Sequence, residues 1–285
     1  MHSNKMLHHP DVIKAIWEDG NTAGITPVSL GIDIDETASY DMVIDTIRNA
    51  PVKSIELLGK TMQHHKIASM LYCIGEKRLG VHTEPVILND DILIPLEACI
   101  PTYYRIKYKT GVWDAFKQIE AITKFPGITY YVNKDSLEGL KTIEEEALAN
   151  KCKHIYFSLD FTAPIDRHEL RWAIQRIGMM ERIMVYNGLP EQWEGLNSDM
   201  SLCGYCFVKD FKVILKSNGD LVACSANNTV WGNVLEKDFI TVWKLSSTER
   251  QCFDPSEKCK QCPYKSVNDT VKTFIINTPS HVSFL

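Results

Sequence analysis

Six of the nine cysteines fall between Cys203 and Cys262. Two of the five spacings between them are of one kind: Cys203-Gly204-Tyr205-Cys206 and Cys259-Lys260-Gln261-Cys262 are C-x2-C pairs, with Cys224 and Cys252 between them. Thiolates two residues apart can turn both sulfurs toward one centre, and two such pairs complete a four-sulfur shell that suits zinc or an iron-sulfur cluster. Disulfides are the competing use of cysteine. The first twenty residues have no apolar run behind their basic residues, so a cytoplasmic, reducing setting is expected, and that favours metal over disulfide.

Local elements must bring these sulfurs together. The run 211–215, the turn Ser217-Asn218-Gly219-Asp220 and the run 221–224 read as a β-hairpin, with Asn-Gly at the turn where positive φ is needed. Such a hairpin returns Cys224 to the same end as Cys206. The polar, turn-rich stretch from Asn187 to Asp199 precedes it and marks a boundary near residue 195.

Before that boundary, short β-branched or aromatic runs alternate with amphipathic ones. Strands are predicted over 28–34, 53–58, 79–88, 103–108, 127–132, 153–159 and 183–187, and helices over 36–49, 61–76, 111–123, 135–148 and 166–179. Asp166 and Glu169 have the form of a capping box at the last of these helices. Right-handed crossovers between such units build a parallel sheet, and six or seven units rather than eight favour a partial barrel.

The composition narrows the partners. Of 285 residues, 45% are hydrophobic and 24% charged, which excludes a disordered or fibrous chain. A net charge of -5 without a long basic tract gives no reason to expect nucleic acid. No apolar run approaches the ~20 residues of a spanning helix, so no membrane is expected.

The order Cys206-x12-Gly219-x4-Cys224, then Trp231-Gly232-Asn233-Val234, Phe239 to Trp243, Arg250 and Cys259-x2-Cys262 resembles the SPASM/Twitch extension of radical SAM enzymes. The resemblance covers about residues 203–265. By position it implies one auxiliary 4Fe-4S cluster on Cys206, Cys224, Cys259 and Cys262, with Cys203 and Cys252 as alternates and zinc as the alternative metal. Residues 25–190 resemble the radical SAM partial barrel: 53–62 resembles the strand ending in Gly-Gly-Glu, and 79–88 the next strand. The resemblance implies an α/β fold, a partial (β/α)6 TIM-like barrel over 1–195 followed by a small SPASM/Twitch-like domain over 196–285. Two family features are missing. The C-x3-C-x2-C loop that follows the first strand is replaced by Glu36-Thr37-Ala38-Ser39, and Lys60 and Thr61 follow Gly59 where the second glycine and the glutamate belong.

The chain therefore reads as a degenerate, pseudo-radical-SAM protein, more a pseudoenzyme than an enzyme, and S-adenosylmethionine is not expected to bind. The resemblance implies an accessory role in peptide maturation, with a precursor peptide or a partner radical SAM enzyme bound. The alternatives are a divergent radical SAM/SPASM peptide-modifying enzyme and a barrel protein with a structural zinc site.

Other residues that could do chemistry are His8-His9, His64-His65, and a set of Asp33, Asp35, Asp160 and His82 at strand ends, where barrels place their sites. Asp35 as a helix cap and the others as a solvated mouth is the plainer account. Tyr103, Tyr104, Tyr108, Tyr130, Tyr131, Tyr156 and Phe157 fall on or beside strands, either as core or lining the barrel.

Overall fold

The computed structural model describes residues 26–160, 165–190, 206–224, 227–255, 259, 262, 264, 265, 268 and 269. Seven parallel strands alternate with helices in the first part of the chain. β1 (Ser29–Asp33), β2 (Ser54–Gly59), β3 (Arg78–Thr83), β4 (Tyr103–Lys107), β5 (Pro126–Val132), β6 (His154–Leu159) and β7 (Met184–Asn187) lie side by side in chain order. Between them run α1 (Tyr40–Asn49), α2 (Ile67–Ile74), α3 (Asp90–Cys99), α4 (Val112–Ile119), α5 (Ile143–Ala149) and α6 (Arg167–Gly178). Six strand-helix units and a seventh strand are the expected partial barrel.

Each helix forms where its caps and apolar spacing demand. The Ser39 hydroxyl caps α1 by accepting from Met42 N, and Met42, Val43, Ile44 and Ile47 form its buried stripe. At α6 the capping box closes as the sequence predicts: Asp166 accepts from Glu169 N at 2.8 Å, and Glu169 accepts from Asp166 N at 3.2 Å. Two predicted helices are interrupted. The 61–76 run is a 3-10 turn over Thr61–Gln63 and then α2, because His64 turns inward and both its ring nitrogens bind backbone. The 135–148 run is a 3-10 segment over Lys134–Lys141, then α5. The predicted strand 79–88 stops at Thr83, just before Pro85, which has no N–H for the ladder.

The C-terminal part adds α7 (Val208–Phe211), β8 (Lys212–Lys216), β9 (Asp220–Cys224), β10 (Asn227–Asn233), α8 (Phe239–Leu245) and α9 (Ser247–Gln251). The predicted hairpin is present, and Gly219 at its turn has φ +87. Sequence reading did not show that β8 pairs in parallel with β1, from Ser29 opposite Lys212 to Asp33 opposite Lys216. All ten strands thus form one sheet, in the order β10-β9-β8-β1-β2-β3-β4-β5-β6-β7. The boundary near residue 195 and Cys203 lie outside the described residues, as do His8 and His9.

Alternation along each strand sorts the side chains into two faces. Leu30, Ile32, Ile55, Leu57, Val81, Ile106, Ile128 and Ile155 pack under the helices as the main core. The other face lines the barrel lumen. There the strands carry Asp33, Glu56, His82, Tyr103, Arg105, Lys107, Thr129, Tyr131, His154 and Tyr156, with Lys212 and Lys216 from β8. Among the described residues no helix is long and apolar enough to cross a membrane.

Candidate functional site

The cysteine-bearing segments converge at the end of β9. Cys206 precedes α7, Cys224 ends β9, and Cys259 and Cys262 follow α9. Burial first, with smaller contributions from the nearby Cys224 and Cys259 and against the pull of Lys209, pushes the Cys206 thiol up to about 12. Cys259 Sγ lies 3.7 Å from Asn227 Nδ2, and Cys262 Sγ lies 3.9 Å from Asn268 Nδ2. The same Asn268 accepts the Phe207 N–H at 2.8 Å, which ties the Cys262 turn to the residue after Cys206. Cys252, one of the alternates, is exposed at the end of α9.

A polar scaffold holds this corner. Asn233 at the end of β10 donates to Asn218 O and to Asp220 Oδ1, both at 2.9 Å, and so clamps the β8–β9 turn. A Cβ at Gly219 would sit 2.7 Å from Asn233 Oδ1, so glycine is required there by space as well as by φ. Fully buried Arg250 stacks on Trp243, with its guanidinium carbon 3.6 Å from the ring centroid. It donates to Trp243 O and to Ser246 Oγ, and its Nε is 3.9 Å from Asp210 Oδ1. Asp210 also pairs with Lys209 at 2.7 Å, both side chains being buried. The recurring glycine, asparagine, tryptophan and arginine of the sequence pattern therefore fix the loops from which the cysteines project.

A thiol whose pKa is raised in this way does not ionise unaided, and a bound cationic centre is what would deprotonate it. The donor chemistry accordingly fits a thiolate-bound metal group. Among the described residues no three His, Cys, Asp or Glu side chains are gathered tightly enough to hold a single metal ion.

Residues 206–263 match the SPASM family, an iron-sulfur cluster-binding domain. The SPASM match opens on Cys206 and closes one residue after Cys262, which leaves Cys203 outside it. The wider chain has the fold of radical SAM barrels that carry a SPASM region. Streptococcus suis SuiB bound to S-adenosylmethionine superposes with a TM-score of 0.57 at 17% identity, over 87% of this chain and 70% of that one. SuiB bound to its precursor peptide SuiA gives 0.60 at 14% identity, over 92% and 77%. Native anSMEcpe with bound AdoMet and Cp18Cys peptide gives 0.56 at 9% identity, over 87% and 98%. No curated protein matches the chain in sequence.

The loop after β1 differs in character from the SPASM corner. Residues 34–39 hold no cysteine and are pinned by hydrogen bonds. The fully buried Thr61 hydroxyl donates to Ile32 O at 2.8 Å and accepts from Ile34 N at 3.1 Å. Asp35 accepts from Thr37 N and from Thr37 Oγ1, Ser217 Oγ accepts from Asp35 N, and His64 Nε2 meets Ala38 O at 3.3 Å. These hydrogen bonds, from Thr37 first, hold the exposed Asp35 carboxyl below the usual range. Asp35 is thus a local turn-former and not the expected helix cap, because Ser39, next to the first helical residue, accepts from Met42 N in its place.

The rest of the strand-end set does not gather into one site. Asp33 pairs with Lys216 at 2.6 Å, and its carboxylate fills the space a Cβ on Gly59 would need. Asp160 accepts from Asn133 Nδ2 at 3.1 Å. His82 sits deeper, where burial and the charge of Arg105 press its pKa down to about 3. The histidine pair stacks, with ring centroids 4.5 Å apart, and the backbone bonds of His64 occupy both its nitrogens. Of the aromatics, Tyr104, Tyr130 and Phe157 pack in the core, whereas Tyr103, Tyr131 and Tyr156 face the lumen.

Sequence reasoning missed Tyr264. Two residues beyond Cys262, its ring lies 6.0 Å from Lys212 Nζ, which itself pairs with Glu56 at 2.5 Å. Tyr264 is also close enough to Tyr103 and Tyr131 to raise their pKa values, after burial as the main cause. The SPASM corner therefore reaches into the barrel lumen, and a tyrosine after the last C-x2-C pair was the only signal for it.

Proposed function

We propose that this chain is a radical-SAM-like accessory protein of peptide modification that carries one auxiliary 4Fe-4S cluster and binds a precursor peptide or a partner radical SAM enzyme, without cleaving S-adenosylmethionine itself. The observation that carries this reading is the contrast between two ends of one sheet. After β1, a loop without cysteine is closed by Thr61, Thr37 and Ser217. Beyond β9, Cys224 and Cys259 come within electrostatic reach of Cys206, and Asn268 links Cys262 to them.

The ligands assigned to the cluster are Cys206, Cys224, Cys259 and Cys262, with Cys252 left to the surface. Such a cluster supplies one-electron exchange when bound. This chain's own part is to present four thiolates, with the Asn227 and Asn268 amides beside two of the sulfurs, and to keep the corner rigid through Arg250 and Asn233. The peptide partner is supported by a lumen face that carries tyrosines and charges, and by the likeness in fold to SuiB, a protein seen with its precursor peptide.

Purification without oxygen, followed by iron and sulfide reconstitution, tests the cluster. A brown protein with about four irons per chain, bleached by C259A and C262A but not by C252A, supports the assignment. Colourless protein with one zinc per chain refutes it. Incubation with S-adenosylmethionine and dithionite tests the accessory role, and formation of 5'-deoxyadenosine by the chain alone would overturn it.

A further inference from the structure

Three buried polar atoms on adjacent strands have no hydrogen-bond partner: Arg105 Nε on β4, Thr129 Oγ1 on β5 and His154 Nδ1 on β6. Buried polar groups are nearly always paired, so three orphans on one face call for an explanation. The register brings them together. Arg105 stands opposite Gly127, and Gly127 opposite His154, so the two side chains flank a residue that has none. The His154 ring occupies the space that a Cβ on Gly127 would need. Thr129 follows on the same face of β5, between Lys107 and Tyr156.

Charge singles out Arg105. The other lumen cations have carboxylate partners: Lys107 and Lys109 pair with Glu84, Lys212 with Glu56, and Lys216 with Asp33. Among the described residues Arg105 has neither a hydrogen bond nor an ion pair, only the rings of Tyr103 and Tyr156, with centroids 4.7 and 5.2 Å from its Cζ. Burial, then the charge of Arg105, keep both His82 and His154 neutral at ordinary pH. One uncompensated positive charge suits a monoanion; a phosphate dianion would call for a second free cation. Of the three groups Arg105 alone is partly exposed, Thr129 and His154 being buried. Along β4 the helix side, Tyr104 and Ile106, is buried, while Tyr103, Arg105 and Lys107 on the lumen side are partly exposed.

We propose that the barrel lumen binds a carboxylate of a peptide on Arg105, with Thr129 and His154 as further hydrogen-bonding groups and Tyr103 and Tyr156 as walls. A guanidinium held between aromatic faces presents its fork to a carboxylate with little left to organise. The proposal rests on the accessory reading for its peptide and adds what that peptide must carry: a glutamate or aspartate side chain, or a free C-terminal carboxylate.

The test uses the full reconstituted chain labelled with 15N-arginine and three short alanine-based peptides. One is blocked at both ends with a central glutamate, one is its glutamine counterpart, and the third is the glutamine peptide with a free carboxyl end. The Arg105 Nε–H resonance, assigned by its disappearance in R105K, is expected to shift with the glutamate or the free-end peptide and not with the blocked glutamine peptide. Which of the two moves it identifies the source of the carboxylate. R105Q is expected to bind that peptide about tenfold more weakly or worse, and T129V to weaken it less; far-UV circular dichroism checks that both fold. A resonance unmoved by either carboxylate, undiminished binding by folded R105Q, or a shift produced by S-adenosylmethionine alone would overturn the proposal. Because the readout on the wild-type chain is independent of iron content, that failure leaves the cluster assignment standing.

Discussion

Thr61→Val removes one hydroxyl from a fully buried site and keeps the β-branched shape. The lost group holds both edges of the loop after β1, accepting from Ile34 N at 3.1 Å and donating to Ile32 O at 2.8 Å. Valine can do neither. A buried N–H left without a partner costs ~1–3 kcal/mol, and the carbonyl, which has a second lone pair, adds less, so a loss of about 2 kcal/mol is expected. For a chain of this size that corresponds to a fall of roughly 4–8 °C in midpoint temperature. Equilibrium unfolding in urea by tryptophan fluorescence measures it, with T61S as the control that keeps the hydroxyl and loses only a methyl. Iron content after reconstitution should not change, because Thr61 contacts the β1 loop and not the cysteine corner. If T61V unfolds at the same urea concentration as the wild type, the loop is not held by this hydroxyl. The contrast between a closed loop after β1 and a cysteine-bearing corner after β9 then loses its physical basis.

Acidification is expected to destabilise the chain through His154, which is buried and has its pKa lowered from 6.5 to about 3 by burial and then by Arg105. A depressed histidine is neutral when folded and protonated when unfolded, so the unfolded state binds the extra proton below 6.5; the stability present above that pH is lost as the pH falls toward 3, about 2 kcal/mol by pH 5. His82, whose pKa burial also lowers to about 3, adds an equal share, so urea midpoints measured between pH 7 and 5 should show about twice this slope and H154F should remove about half of it. Gly219→Ala puts a Cβ 2.7 Å from Asn233 Oδ1 at φ +87, and should cost about 2 kcal/mol in melting experiments and lower cluster retention by loosening the β8–β9 turn. Arg250→Met strips donors from Trp243 O and Ser246 Oγ and a cation from Asp210, and should destabilise by roughly 3 kcal/mol in urea. R250K should recover only part of it, since a lysine cannot stack and fork at once.

Much of the architecture is local and so can be read from the residues. The Asp166/Glu169 box, the Asn-Gly hairpin turn and the 2- and 3.6-residue periods state their elements without help from the rest of the chain. α3 escaped that reading because Pro95 interrupts its pattern, although Asn89 caps it and Asp90 and Asp91 suit its first turn. The break after Thr83 was legible in Pro85 once the ladder needed a donor there.

By itself the sequence determined the element types, the parallel strand-helix succession and a tail rich in paired cysteines, because caps, turns and C-x2-C spacings act over a few residues. Only the tertiary structure decided that β8 extends the sheet beside β1 and that Cys224 and Cys259 come within electrostatic reach of Cys206 while Cys252 stays at the surface. It also decided that Tyr264 reaches the lumen and that Arg105, Thr129 and His154 meet there unpaired. Alternation tells which residues share a face, but the register between strands, set by packing along the whole sheet, tells which of them touch.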